Sequence, residues 1–119
     1  MKKGTANDGE SRSSQFVALE YRAKDQNRSA SLILIVLEDA DGSLHFLIHP
    51  EWRRIVQTDE LDYFQSLLRD YSERAELHPR DLMNQLSSLA VGPLVTYETG
   101  TNILDYPFLG EICSGFVQL

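Results

Sequence analysis

Two histidines followed by a tryptophan are the residues of this chain whose types and spacing come nearest to a chemical site. They stand in DGSLHFLIHPEW, residues 41–52, where His45 and His49 are four positions apart. On a helix this spacing puts both imidazoles on one face, where they can share a zinc ion. On a strand, four residues span about 13 Å, whereas zinc holds each nitrogen at about 2 Å. The preceding Asp-Gly turn and the following Pro50 favour a strand, so the sequence predicts no metal site here.

The candidate partner-binding site is the next four residues: Glu51, Trp52, Arg53 and Arg54. Tryptophan and arginine are the types most enriched in binding hot spots, because they combine a large contact area with forked hydrogen-bond donors. A second interpretation stays open, in which Trp52 closes the hydrophobic core and the two arginines extend into water. Both interpretations place the segment on a loop at the end of the sheet.

The other residues of reactive types have structural explanations and need no catalytic role. Cys113 has no cationic neighbour in sequence to lower its pKa, and the apolar residues near it indicate burial. Asp39 and Asp41 are typical of a turn. The sequence contains no phosphate-binding or dinucleotide-binding glycine motif and no CxxC pair. We therefore predict no catalytic residue, no cofactor and no metal ligand.

Composition narrows the class of protein and of partner. The chain has 119 residues, of which 11 are Lys or Arg and 18 are Asp or Glu, giving a net charge of −7. This balance argues against nucleic acid, whose binding depends on neutralising phosphates. There is no apolar run of the length that a membrane span needs, which is about 18 residues. A single cysteine cannot form an internal disulfide, so we expect a cytoplasmic location.

Alternating and continuous apolar patterns predict the strands that must position these residues. Residues 1–15 have no apolar pattern and are expected to be a disordered leader, and residues 16–119 a single domain. FVALEYR alternates and indicates a first strand. SLILIVLED has six consecutive apolar positions, 32–37, so both faces of this second strand must be covered. After an Asp-Gly turn, residues 43–49 predict a third strand.

Two helices and two further strands follow. Thr58 is a good N-cap, and apolar residues then recur at three- and four-residue steps to Ala75. Pro79 ends that helix and begins a second, RDLMNQLSSL. LVTYET and a stretch within ICSGFVQL predict the last strands. The order β-β-β-α-α-β-β indicates an α+β fold, with an antiparallel sheet of four to five strands and two helices packed on one face.

The second strand also bears on assembly. Strict alternation divides its side chains between two faces: Leu32, Leu34 and Val36 on one, Ile33, Ile35 and Leu37 on the other. Two helices suffice for one face, so the other must be covered by the C-terminal segment 101–119, by a second copy, or by both. We predict a homodimer, because an uncovered face would leave a large apolar patch.

The order of hairpin, turn and helix over residues 30–77 resembles that of small bacterial antitoxins of the HicB type, a likeness of element order that implies nothing about function by itself. The sequence predicts a small cytoplasmic, non-enzymatic interaction or regulatory module, whose partners are a second copy and another protein. One alternative is a small hydrolase or transferase with a site assembled from distant residues. The other is a nucleic-acid-binding regulator or antitoxin-like protein that uses Arg53, Arg54 and Arg80.

Overall fold

A computed structural model describes residues 15–23 and 30–119. The strands are β1 Gln15–Tyr21, β2 Ser31–Glu38, β3 Leu44–Ile48, β4 Leu94–Thr101 and β5 Val117–Gln118. The helices are α1 Trp52–Ile55, α2 Leu61–Leu77, α3 Pro79–Leu86 and α4 Pro107–Gly115. The strands form one antiparallel sheet in the spatial order β4-β1-β2-β3-β5. The predicted α+β class is confirmed.

Helices α2 and α3 cover one side of the sheet, which we call the helix face. Helix α2 buries three residues at the spacing that puts side chains on one side of a helix: Phe64, Leu68 and Tyr71. Leu82 and Leu86 of α3 are fully enclosed beside them. The predicted helix start at Thr58 is a 3-10 turn, Thr58–Glu60, and α2 itself begins at Leu61.

The other side, which we call the α4 face, is covered by the chain's own C-terminal segment. A 3-10 turn at Ile103–Asp105 leads into α4, and Leu109 packs there with Phe16 and Ile35. The sequence predicted a last strand within ICSGFVQL, but only Val117–Gln118 is a strand. The helix forms because Pro107 is well placed at its first position and Leu109, Ile112 and Cys113 recur at helical spacing on the side that packs against the sheet. The homodimer was predicted from an uncovered apolar face of the sheet, and α4 covers that face.

A β-bulge changes which side chains of β2 share a face. The register pairs Leu19 with Leu34 and the next residue, Glu20, with Leu32, so Ile33 is the extra residue. Ile33 consequently packs with the helix-face cluster and Leu32 with the α4-face cluster, the reverse of strict alternation. From residue 34 to residue 37 the alternation is as predicted.

The predicted disordered leader lies outside the described residues except for Gln15, which begins β1. The polar connection at residues 24–29 lies outside them as well. Within the ranges that are described, none of the helices is both long enough and apolar enough to cross a membrane.

Candidate functional site

An open groove separates α4 from one end of the sheet. Its volume is about 560 Å³, and it lies where β1 ends and β2 begins, next to the residues that follow β3. Its lining includes six large apolar side chains: Leu32, Ile55, Tyr97, Phe108, Ile112 and Phe116. We call it the α4 groove. Grooves of this size and lining are typical of binding sites.

Large apolar side chains are exposed at this groove. Phe108 on α4 is 61% exposed and Tyr97 on β4 is 45% exposed, although both line the groove. Leu104, 76% exposed, lies against α4 at Gly110. Single exposed apolar residues are ordinary on protein surfaces, whereas a cluster beside an apolar groove is typical of interaction surfaces.

Four polar residues complete the groove: Glu20, Ser31, His49 and Glu111. The Glu20 carboxylate is mostly buried and accepts a bond from Arg22, with Nη2 3.2 Å from Oε1. Nδ1 of His49 accepts the backbone N–H of Glu51 at 3.0 Å, so a neutral ring carries its proton on Nε2. The His49 ring also packs on Phe116, with centroids 5.5 Å apart. The groove therefore offers an apolar floor, two carboxylates and one imidazole.

The predicted partner-binding segment lies next to this groove and forms a short helix, not a loop. Trp52 is only 7% exposed and packs in the helix-face core, with its ring centroid 5.4 Å from that of Phe64. The Arg53 guanidinium stacks over the Trp52 ring at 4.4 Å, and Arg54 is paired with Glu51 at 3.3 Å. These three charged residues are exposed. They lie between Pro50 and Ile55, which both line the groove.

The two histidines lie on a strand and just beyond its end, as the turn and proline predicted. His45 is within β3 and pairs with Asp39 of the hairpin, whereas His49 follows the strand and bonds Glu51. Each ring has its own partner, so the pair does not converge on a common ligand. Within residues 15–23 and 30–119, no three His, Cys, Asp or Glu side chains are grouped as a metal ion would need.

The three arginines of the nucleic-acid alternative are not on one surface. Arg53 and Arg54 follow β3, whereas Arg80 lines a cleft beside Ser43 and Leu44, where β3 begins. A five-residue strand such as β3 separates its two ends by about 13 Å. Arg53 and Arg54 therefore lie together at one end of β3, and Arg80 lies near the other end.

A buried polar contact joins β1 to the start of α2, away from the groove. The Tyr21 hydroxyl donates to the Glu60 carboxylate and accepts the backbone N–H of Gln57 at 3.1 Å. Glu60 is only 9% exposed. Burial, followed by the bond to Glu60, raises the pKa of Tyr21 to about 12. The sequence held no signal for this contact, because its partners are 39 positions apart.

No protein-family model matches the chain, and no curated protein or solved structure is significantly similar to it.

Proposed function

We propose that this chain is a non-enzymatic protein-interaction module of the cytoplasm that works as a homodimer through the α4 groove. The observation that carries the proposal is Phe108, a large apolar side chain exposed at the edge of an apolar groove on the same surface. Buried aromatic anchors in pockets supply much of the energy of protein interfaces. The single Cys113 suits a reducing compartment.

A two-fold dimer uses this surface twice. Each copy must present both the projecting side chain and the groove that receives it, and Phe108 and the α4 groove meet that requirement. With the two-fold axis along the groove, α4 of one copy lies against the wall that Pro50 and Ile55 form in the other. Phe108 of each copy then enters the groove of its partner.

Charges at the two walls support the same arrangement. Glu111 is exposed on the α4 wall, and Arg53 and Arg54 are exposed beside the opposite wall. A two-fold axis along the groove brings Glu111 of one copy to the arginines of the other, on both sides of the interface. Rim pairs of this kind contribute little affinity, about 0.2–1 kcal/mol each, but they select the orientation.

The first experiment measures the mass of the full chain by light scattering at micromolar concentration. We expect a dimer for the wild type and a folded monomer for Phe108→Glu, because a charge would have to be buried at the interface. Circular dichroism checks that the variant is folded. The matched control is Tyr63→Glu, since Tyr63 is 57% exposed on α2, on the other face, and its change should leave the dimer intact. A wild type that stays monomeric across the micromolar range contradicts the proposal.

A second experiment tests the two-fold geometry by exchanging charges. Glu111→Arg and the double variant Arg53→Glu with Arg54→Glu should each weaken the dimer, because like charges then face each other. Mixing the two proteins should restore association, since both rims of the mixed dimer then pair opposite charges. Association that is insensitive to all these changes would mean that the dimer uses a different surface.

A further inference from the structure

A second cleft opens on the helix face, at the opposite end of β3 from the α4 groove. Its volume is about 720 Å³, and it lies between the β2–β3 hairpin, the end of α2 and the start of α3. We call it the hairpin cleft. Because it is on the other face of the sheet, a dimer formed through the α4 groove leaves it open.

The floor of the hairpin cleft is apolar. Leu44 and Phe46 of β3 contribute to it from the sheet, and Ala75 and Pro79 from the two helices. Leu119, 45% exposed, forms part of its edge. Phe46 is anchored in the helix-face core, so this part of the floor is rigid before any ligand arrives.

The rim of the hairpin cleft is acidic. Glu38, Asp41 and Glu76 line it together with only one cation, Arg80. Asp41 accepts the backbone N–H of Ser43 at 3.0 Å and its hydroxyl at 2.6 Å. These bonds lower the pKa of Asp41, so its charge persists into acidic solution. Three carboxylates around an apolar floor repel phosphate and attract cations.

We propose that the hairpin cleft binds an extended segment of a partner protein in which lysine or arginine side chains flank an apolar side chain. The apolar side chain rests on Leu44 and Ala75, and the flanking cations meet Glu38 and Glu76. An extended segment suits this arrangement, because the residues that flank an apolar side chain on the floor start on the opposite side of the strand. The long aliphatic stems of lysine and arginine let their charged ends bend back to the rim carboxylates. This proposal goes beyond the homodimer and rests on a separate surface.

The test is fluorescence anisotropy with labelled hexapeptides and the full chain at physiological salt. The first probe alternates lysine and leucine, the second alternates lysine and serine, and the third alternates glutamate and leucine. We expect saturable binding of the first probe, at least about tenfold weaker binding of the second because the floor is then unused, and none of the third. Equal binding of the first two probes, or competition by spermidine as effective as by the lysine–leucine peptide, would show cation attraction without a peptide site and overturn the proposal.

Matched variants locate the binding. Glu76→Lys should weaken the lysine–leucine peptide about tenfold, because it reverses a charge at the rim. Asp62→Lys makes the same charge change on the same helix but at its other end, and should leave the affinity within about twofold, since the exposed charges are then separated by more than a Debye length. Equal effects of the two variants would contradict the hairpin cleft as the site. The mass of the protein, measured by light scattering in parallel, shows whether the homodimer forms. It therefore distinguishes an absence of peptide binding from an absence of the homodimer.

Discussion

The two faces of the sheet are covered in different ways. On the helix face, α2 and α3 enclose a cluster of eighteen buried residues, whereas the α4-face cluster contains five in the described part of the chain. Helix α4 has nine residues, about 14 Å of helix, which is too short to cover the sheet from end to end. The uncovered end is the α4 groove. The difference teaches that the helix face supplies most of the fold's stability, while the α4 face combines a smaller core with exposed apolar side chains at a groove.

The largest expected effect comes from placing a charge in the middle of β2. Leu34 lies in the helix-face cluster and Ile35 in the α4-face cluster, and both are fully buried. If a second copy covered the α4 face, lysine at position 35 would disrupt association and leave folding intact. Because α4 covers Ile35, we now expect Leu34→Lys and Ile35→Lys both to prevent folding, since neither ammonium group can reach water without displacing a covering helix.

Circular dichroism and thermal melting measure this outcome. A folded, monomeric Ile35→Lys protein would show that the α4 face is an association surface throughout, not only at the groove.

A matched pair of truncations compares the faces more finely. Leu82→Ala removes the same atoms from the helix face as Leu109→Ala removes from the α4 face, and both side chains are buried. We expect losses of unfolding free energy of about 4 kcal/mol for Leu82 and about 2 kcal/mol for Leu109, because the smaller cluster can collapse more completely around the lost side chain. Urea unfolding at constant pH measures both. Equal losses would mean that the two clusters are equally rigid.

The smallest effect concerns the buried contact of the helix face. Tyr21→Phe removes the hydroxyl that donates to Glu60, and we expect a loss of about 1–2 kcal/mol because a buried carboxylate then loses this hydrogen bond. The matched control is Tyr97→Phe, since the Tyr97 hydroxyl is on an exposed ring at the groove and its loss should change stability very little.

The pH dependence of stability gives the same contact a second readout. The folded state holds the Tyr21 proton more tightly than the unfolded state, because its pKa is raised from 10.0 to about 12. The stabilisation is therefore complete below pH 10 and is lost as the pH rises towards 12. Tyr71 has a pKa raised in the same way, mainly by burial, and contributes to the same fall. The fall should be smaller in Tyr21→Phe, and an identical pH profile would contradict the assigned role of Tyr21.

The sequence by itself determined the elements whose signals are local. Alternation in FVALEYR, the Asp-Gly turn before β3 and the stripe from Leu61 to Ala75 each specify an element within a few residues. The continuous apolar run of β2 also determined that both faces of the sheet are covered. The place of residues 51–54 directly after a strand also followed from the sequence, whereas partner binding by this segment stays a prediction.

Tertiary structure decided the features that depend on residues distant in the chain. The bulge at Ile33 exchanges two side chains between faces, and no local pattern marks it, because it depends on the pairing of β1 with β2. Trp52 became a core residue because α2 brought Phe64 to it. Helix α4 formed where a strand was predicted because Leu109 gained an apolar surface on the sheet that only the folded chain provides. Both clefts exist for the same physical reason, since each lies between elements that meet only after folding.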